Sequence, residues 1–578
     1  MRRILVEAWT FGIGEPHTLH GQERHNDNNG GRSDRHHRAR QPAVRTAEPG
    51  RRVSVATWGP FRYRLFAVIW IATVVSNVGG WMYNVASGWL MTSLDPQPLI
   101  VSLVQVANSL PMFLLAIPAG ALVDILDRRR FLICGESAIM ITSTAFAALV
   151  WLHWITPVNL LLLSVVVTAG SAVTYPAWQA VVTQLVPRAD LPMAVAANSV
   201  GINVSRAVGP ALGGIAIGAL GIAAPFWFNA FSNAGVIAAL IWWRPPSRPA
   251  THLPPERFGD AVRTGFRHAR YNRHLSATLI RAIAFFVFAS AYWALLPLVA
   301  RYQISGGPVV YGTLLAVIGA SAVGGAFLLR RVKAKLGADR LFAAATVATA
   351  AASGLFALAH ELATAVAASL IAGASWIAAV AVLNVSAQVA LPEWVRGRGL
   401  AMYATVMFGA LTLGSALWGE LAALTGLPAA LSLAAAGAII ALPLTRGWKL
   451  QTGANVDFSP SMHWPDPVTT HAIEEDRGPV LVTVEYRIDP KNREAFLQAL
   501  SRSAFQRRRN GAYGWGVFED PAEEGRFIET FQTDSWLEHL RQHQRVTKAD
   551  RLAEQAARHF QIGAGPKITH LVGVQARR

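Results

Sequence analysis

A succession of long apolar segments between about residues 64 and 446 constrains the fold of this chain more than any other feature. Many of these segments approach the roughly 20 residues that a helix needs to cross a bilayer. Because a helix satisfies its own backbone hydrogen bonds in lipid, the pattern predicts transmembrane helices. We predict about twelve, over residues 64–93, 100–123, 131–153, 157–186, 192–219, 225–243, 277–300, 309–331, 339–359, 362–390, 399–421 and 427–446.

The composition also indicates a membrane protein. The 578 residues are 52% apolar and only 15% charged, whereas ordinary soluble domains carry about 25% charged residues. The 52 Lys and Arg against 34 Asp and Glu give a net charge of +18. In a membrane protein such an excess collects in cytoplasmic loops, so we expect a lipid bilayer and no nucleic acid as partner.

The loops between the predicted spans alternate in charge. One set, at 127–130, 187–190, 244–273, 330–335 and 395–398, carries 17 Lys and Arg, whereas the opposite set carries only Arg301. Basic loops stay in the cytoplasm, which places both termini there. We therefore predict a multi-pass protein of the bacterial inner (cell) membrane with cytoplasmic termini.

A shift of about 205 residues aligns the chain with itself. The shift places Gly120 on Gly325, Pro187 on Pro392 and Gly214 on Gly419 without a gap. A single offset over several helices predicts a parallel duplication, which secondary transporters use to form a site between two halves. The predicted fold class is an all-α membrane protein with twelve helices in two six-helix repeats, plus a small C-terminal α+β domain.

The composition becomes that of a soluble protein after about residue 447. Strand and helix patterns follow in the order βαββαβ over about 100 residues, the arrangement of a ferredoxin-like domain, and the second helix is predicted over about residues 535–560. Such a unit leaves one sheet face to be covered, so self-association through this domain is an option. The predicted boundaries are a disordered basic extension at 1–58, the first six-helix half at 59–243, a basic cytoplasmic linker at 244–276, the second half at 277–446, a linker at 447–477 and the cytoplasmic domain at 478–578.

The segment GALVDILDRRRF leaves the second predicted span. It resembles the G-x-x-x-D-x-x-x-R-R signature of the major facilitator superfamily, and the resemblance implies a gating motif that latches the two halves together on the cytoplasmic side. An acidic residue there could also face the start of the eleventh span, where the helix dipole favours an anion. The alternative is that these residues only anchor a loop at the membrane surface. The residues concerned are Gly120, Asp124, Asp127, Arg128 and Arg129.

A second motif, SRAVGPALGG, lies in the fifth predicted span. It resembles the G-x-x-x-G-P-x-x-G-G motif of exporters in the same superfamily, with a serine in place of the first glycine, and this resemblance implies export rather than uptake. Close helix packing is the alternative role. The motif comprises Ser205, Gly209, Pro210, Gly213 and Gly214.

Together with residues 60–94, these motifs make residues 60–445 similar to the transmembrane secretion effectors, the branch that contains the enterobactin exporter and macrolide efflux proteins. The C-terminal domain resembles the ferredoxin-like unit of antibiotic-biosynthesis monooxygenases. That resemblance implies a ligand or haem pocket near His539, His543, Trp515 and Trp536. The tail shows no nucleophile, metal-ligand spacing or cofactor fingerprint, so we expect no enzyme activity, no cofactor and no metal.

Polar side chains at membrane depth are costly and mark candidate substrate or proton sites. Arg206 and Glu136 are the best candidates, either as a functional polar core or as a fixed structural pair. Asn77 and Asn84 either line a cavity or bond across helices, and Arg281 is a weaker candidate near a helix end.

The chain contains no Walker A motif, so ATP is not expected to drive transport. We predict a secondary active transporter, a proton antiporter that exports a small amphipathic molecule such as a siderophore, a macrolide or a drug. The alternatives are an importer of the same fold and a membrane-tethered enzyme that acts through its C-terminal domain.

Overall fold

The computed structural model describes residues 59–244, 270–452 and 476–574, together with residues 266, 267, 461, 464, 467, 469, 473 and 474. The predicted N-terminal extension at 1–58 and most of the two predicted linkers lie outside the described residues.

Eleven helical stretches in this part of the chain are long and apolar enough to cross a membrane. They are Arg64–Leu94 (α1), Pro98–Ile125 (α2), Arg128–Trp151 (α3), Pro157–Leu185 (α4), Leu191–Leu220 (α5), Ala224–Trp242 (α6), Arg273–Leu298 (α7), Pro308–Ala357 (α8 and α9), Leu362–Val389 (α10), Arg396–Thr425 (α11) and Leu427–Thr445 (α12).

The stretch Pro308–Ala357 is broken at Gly337, whose φ of 75° and ψ of 175° are not helical. A positive φ favours glycine, which has no Cβ to clash. The break divides the stretch into α8 (308–336) and α9 (338–357). A continuous helix of this length would be about 75 Å long, more than twice the thickness of a bilayer core. The predicted basic loop at 330–335 is helical instead, because Arg, Lys and Ala are strong helix formers.

Helix starts follow local signals in the sequence. Proline occupies the first position of α2, α4 and α8, where its missing N–H costs nothing. The carboxylate of Asp127 accepts a hydrogen bond of 2.8 Å from the backbone N–H of Arg130 and so caps α3.

The offset of 205 residues also relates the backbone of distant segments. The 3₁₀ turn Arg188–Asp190 precedes α5, and the turn Glu393–Val395 precedes α11 at the same offset. After these helices, Gly221 (φ 90°, ψ 167°) and Gly426 (φ 88°, ψ 160°) adopt nearly the same conformation. The repeat seen in the sequence is therefore also a repeat of local structure.

We call α1–α6 the first half and α7–α12 the second half. The halves meet where α2 packs against α11 and where α5 packs against α8. The Oγ atom of Ser109 on α2 lies 2.8 Å from the Oγ1 atom of Thr412 on α11. We call the end of the bundle that carries residues 127–130, 187–190, 330–335 and 395–398 the basic side, and the opposite end the neutral side.

The C-terminal domain contains Val480–Arg487 (β1), Arg493–Arg509 (α13), Tyr513–Glu519 (β2), Arg526–Thr533 (β3), Trp536–Arg545 (α14), Lys548–Arg558 (α15) and Lys567–Val572 (β4). The antiparallel sheet has the order β2-β3-β1-β4. Alternate residues of β1 and β3 are buried, as expected for a sheet with one covered face. The single helix predicted over 535–560 is two helices, because Thr547 and Asp550 form a capping box that starts α15.

Candidate functional site

A cavity of about 410 Å³ lies inside the first half, enclosed by side chains of α1–α6. Its wall on α1 runs from Phe66 to Asn84, so the cavity occupies the basic-side two thirds of that helix. Its volume is in the range of small-molecule sites. The polar lining residues include Ser76, Asn77, Asn84, Asn108, Glu136, Gln179, Asn198, Asn229 and Asn233.

Glu136 is the carboxylate of this cavity, and its residue is only 5% exposed. The indole Nε1–H of Trp178 on α4 donates a hydrogen bond of 2.8 Å to its Oε1 atom. No salt bridge joins Glu136 to a cation within the described residues. An acidic group at membrane depth without a fixed counter-charge can exchange a proton or meet a cationic ligand.

Arg206 is near the cavity but does not line it. Its guanidinium lies 5.7 Å from the centre of the Trp81 ring, and Trp81 is part of the cavity wall. The buried Nε atom of Arg206 has no hydrogen-bond partner among the described residues. In this conformation Arg206 and Glu136 are therefore not an ion pair.

Of the other three predicted polar residues, two line the cavity and one forms a salt bridge elsewhere. Asn77 and Asn84 line the cavity. Arg281 lies elsewhere and forms a 3.0 Å salt bridge to Asp339 at the start of α9. The Oδ1 atom of Asp339 also accepts a 3.1 Å hydrogen bond from the backbone N–H of Leu450, so this pair joins α7, α9 and the chain that follows α12.

Sequence reasoning missed most of the cavity face of α4. A signal was present, because polar and amphipathic residues recur at helical spacing within an apolar span. The residues on this face are Ser171, Thr174, Tyr175, Trp178 and Gln179.

The gating motif lies at the basic-side end of α2 and the start of α3. Arg129 donates hydrogen bonds of 2.7 and 2.6 Å to the carbonyl oxygens of Leu240 and Ile241 at the end of α6. A cation at a helix C-terminus is favourable for the helix dipole. A methyl group at Gly120 would meet nothing within 4 Å. The side chain of Asp124 lies outside the described part of the chain.

The exporter-like motif presents one stripe of α5 to α1. The hydroxyl of Ser205 donates a 3.1 Å hydrogen bond to the carbonyl oxygen of Val74. Methyl groups at Gly209 and Gly213 would lie 2.6 Å from Cβ of Trp81 and 3.0 Å from Cα of Met82. The small residues thus let the two helices approach closely within the first half.

The next stripe of the same motif faces α8 across the boundary between the halves. A methyl group at Gly312 would lie 2.6 Å from the carbonyl oxygen of Pro210 and 2.9 Å from Cα of Gly214. One at Gly319 would lie 2.6 Å from the carbonyl oxygen of Arg206. The motif therefore packs α5 against both α1 and α8.

The neutral side is closed by contacts between α1 and the segment after α7. The guanidinium of Arg301 donates hydrogen bonds to the hydroxyls of Thr92 and Ser93, at 2.9 and 2.5 Å. It also lies 5.2 Å from the centre of the Trp89 ring, which stacks on Tyr311 of α8. A charged group with several partners links the two halves at this end.

The C-terminal domain has a buried polar interior. Arg507 forms salt bridges of 2.8 Å to Glu554 and 3.4 Å to Glu529, and Trp515 donates a 2.9 Å hydrogen bond to Glu529. These carboxylates raise the pKa of Arg507 above its usual value in spite of the opposing effect of burial. The interior charges of the domain are therefore paired.

The other three predicted tail residues, Trp536, His539 and His543, lie on α14 together with a third histidine on β4. Trp536 packs 5.6 Å from His539, ring centre to ring centre, and the Nε2 atoms of His539 and His543 are 3.2 Å apart. His570 on β4 lies 4.8 Å from His539 by ring centres. Burial and the neighbouring imidazoles His543 and His570 lower the pKa of His539 to about 3.

The same helix of the C-terminal domain contacts the basic side of the bundle. The guanidinium of Arg545 on α14 lies 4.5 Å from the centre of the Trp394 ring, in the turn before α11. Arg267, which precedes α7, forms a 3.4 Å salt bridge to Glu538 of α14. The domain is thus fixed to the second half by two charged contacts.

The profile of the family described as transmembrane secretion effector matches residues 55–578. The chain belongs to this family. The match covers both the helical bundle and the C-terminal domain. The assignment to the major facilitator transporters, made from the sequence motifs, is confirmed.

The curated relatives of this chain are described as transporters and not as enzymes. The uncharacterized MFS-type transporter YfiS of Bacillus subtilis (strain 168) is 30% identical over 29% of this chain and 39% of its own length. The staphyloferrin A transporter of Staphylococcus aureus (strain NCTC 8325 / PS 47) is 21% identical over 46% of this chain and 66% of its own. The multidrug efflux pump Tap of Mycolicibacterium fortuitum is 28% identical over 30% and 42%. The matched part of the chain therefore spans about two fifths to two thirds of the length of these relatives.

The fold is also similar to that of solved transporters. An auto-inhibited peptide transporter of the POT family superposes with a TM-score of 0.56 at 14% identity, over 67% of this chain and 96% of that one. At this identity the likeness shows the fold alone. By its family and its candidate membrane spans, the chain is a multi-pass membrane protein of the major facilitator type.

Proposed function

We propose that this chain exports a small amphipathic molecule by alternating access, with the basic side in the cytoplasm. The observation that carries the proposal is the cavity with a buried carboxylate, Glu136, in a bundle closed on its neutral side. A binding space near the basic side is suited to loading from the cytoplasm. Counting α8 and α9 as separate spans gives twelve helices in two repeats within the described residues. Two repeats are the architecture in which one half can rock against the other, and here the cavity lies within the first half.

The substrate class is proposed from the lining and from the relatives. Indoles and a tyrosine surround asparagine and glutamine amides, a surface that binds molecules with both apolar and polar parts. One relative is named for a siderophore and another for multidrug efflux. A siderophore, a macrolide or another drug-like compound matches this lining.

Coupling to the proton gradient is proposed through Glu136. Binding a proton would neutralise the carboxylate, and releasing it would restore the charge, so loading with substrate and loading with a proton can exclude each other. Asn77 and Asn84 line the α1 side of the same cavity and would orient the substrate.

We assign the gating motif to the state of the transport cycle in which the basic side is closed. The structure is closed on the neutral side, and Gly120 at the basic end has open space around it. When the basic side closes, Gly120 would allow α2 to approach α11, and Asp124 with Arg128 would latch the halves. An Asp124→Asn variant that exported as well as the parent protein would remove this role.

Direction is tested by flux. Inverted membrane vesicles containing the protein should accumulate a labelled siderophore or a fluorescent drug when their interior is acidified, and they should stop when the proton gradient is collapsed. Accumulation in right-side-out cells instead would establish the importer alternative. The enzyme alternative is not retained, since the family and the relatives are transporters.

Self-association through the C-terminal domain remains part of the proposal. The sheet face opposite α13–α15 carries Leu481 and Leu571, and the edge strand β2 carries exposed Phe518. A second copy would cover this apolar surface. Cross-linking in native membranes should give a dimer that a Phe518→Lys variant does not form.

A further inference from the structure

Three histidines of the C-terminal domain converge on one point, although they come from two separate elements. His539 and His543 lie one helical turn apart on α14, and His570 lies on β4 opposite Val482. Each offers a ring nitrogen, and these three atoms lie within 4.8 Å of one another. The helical pair was present in the sequence, but only the fold brings the strand residue to it.

The nitrogens of His539 and His543 already have the spacing of metal ligands, and a nitrogen of His570 lies within 4.8 Å of both. Two Nε2 atoms 3.2 Å apart are close to the separation of about 3.3 Å that Zn–N bonds of about 2.0–2.1 Å give at tetrahedral angles. Imidazole suits divalent ions such as Zn²⁺, Co²⁺ and Ni²⁺. The competing interpretation is that one imidazole donates a hydrogen bond to the other and no ion is involved.

The surroundings of the cluster favour an occupant. His539 is 1% exposed, and its Nδ1 atom has no hydrogen-bond partner among the described residues. The side-chain amide of Gln542, fully buried on the same helix, interacts with His539 but has no well-aligned hydrogen-bond partner there. Buried polar groups without partners are costly, whereas an amide beside a metal-binding imidazole or a metal-bound water would be satisfied.

The guanidinium of Arg507 acts on His539 and by itself disfavours a cation there. Its charge is offset by the carboxylates of Glu529 and Glu554, which form salt bridges with it. Trp536 packs against His539 and restricts the access of water to that side.

We propose that His539, His543 and His570 bind one divalent transition-metal ion of the zinc type. Three protein ligands leave a fourth position for water or a small anion. The ion would tie α14 to β4, and α14 carries Glu538 and Arg545, which hold the domain to the bundle. Occupancy of the site would therefore stabilise the docked domain.

The test uses the full-length chain in detergent, purified without a histidine tag, stripped with chelator and titrated with Co²⁺ and then Zn²⁺. We expect one strongly absorbing tetrahedral Co²⁺ per chain, displaced by Zn²⁺. His543→Gln and His570→Gln should weaken binding by at least about 100-fold. His559→Gln, an exposed histidine of the same domain, should bind as the parent does.

Two results of the Co²⁺ titration overturn the proposal. One is the absence of the tetrahedral Co²⁺ spectrum in the parent protein, and the other is a spectrum of equal intensity in the His570→Gln and His559→Gln variants. Since a buried variant can misfold, hydrogen exchange of the β1 amides is compared in each protein without metal. If the β1 amides of the His570→Gln protein are not protected from exchange, that variant is misfolded, and a His570→Asp variant, which keeps a ligand, should restore Co²⁺ binding. Failure of His570→Asp to bind Co²⁺ while its β1 amides remain protected also counts against the site.

Discussion

At the scale of single residues, the ionisable groups within the bundle have separate roles. Glu136 lines the cavity with one hydrogen bond from Trp178, whereas Arg281 is held by Asp339 far from the cavity. The sequence shows that such residues lie at membrane depth, because apolar runs contain them. It does not show which of them share a cavity, since that depends on how neighbouring helices are rotated.

Glu136→Gln should reduce proton-coupled export by at least 10-fold, because the amide cannot ionise. The fold should survive, since the amide oxygen can still accept the hydrogen bond from Trp178. Initial export rates in vesicles and the thermal midpoint in detergent are the measurements. Glu361→Gln, at the neutral-side start of α10, is a matched control and should transport normally. Unchanged export by Glu136→Gln would contradict the coupling role.

Asp339→Asn should destabilise the protein more than Arg281→Gln does. The Arg281 side chain is 6% exposed and the Asp339 side chain is 41% exposed, so removing the aspartate leaves a buried charge without its partner, whereas removing the arginine leaves a charge that water can reach. Thermal unfolding in detergent measures the difference, which we expect to be at least about 1 kcal/mol. Equal losses would mean that the pair is solvated in the membrane protein.

At the scale of elements, the lengths of the apolar segments predicted the spans well, but the prediction failed where two signals conflicted. Residues 330–335 are basic, which suggested a loop, yet their helix propensity extends α8 to the break at Gly337. In the tail, the pattern over 535–560 continued through Val546 and so hid the boundary between α14 and α15. Local polarity and periodicity do not locate a break that depends on one residue's backbone conformation.

The close crossing of α5 and α8 depends on glycine, because a larger side chain at the contact would clash with the backbone of the other helix. Gly312→Ala should lower stability by about 1–3 kcal/mol and slow transport, because its methyl group would meet backbone atoms of Pro210 and Gly214. Gly324→Ala, on the same helix but with open space around it, should have no such effect and serves as the control. Thermal midpoints of both variants in detergent check this, and similar values for the two would show that the helices can separate at low cost.

At the scale of the whole molecule, the two halves contact each other at the neutral side, and the C-terminal domain contacts the bundle at the basic side. Arg301 bonds the second half to Thr92 and Ser93 of the first, and Arg545 rests on Trp394 at the turn before α11. The sequence repeat predicts the two halves, and the loop charges predict that the basic side faces the cytoplasm. Neither could predict the closed end, because closure is a property of side chains that meet only in one conformation.

Alternating access requires α2 and α11 to separate, and the hydroxyl pair of Ser109 and Thr412 offers a direct test. The only cysteine, Cys134, can be replaced by serine, so that Ser109→Cys with Thr412→Cys places two thiols where oxygens lie 2.8 Å apart. Oxidation should form a disulfide and stop export, and reduction should restore it, because the halves would be locked with the neutral side closed. Ser109→Cys alone should be insensitive to oxidant. Efficient cross-linking with undiminished export would mean that the halves do not separate at this contact during the transport cycle. Transport would then have to proceed by rearrangement within the first half, around the cavity that it contains.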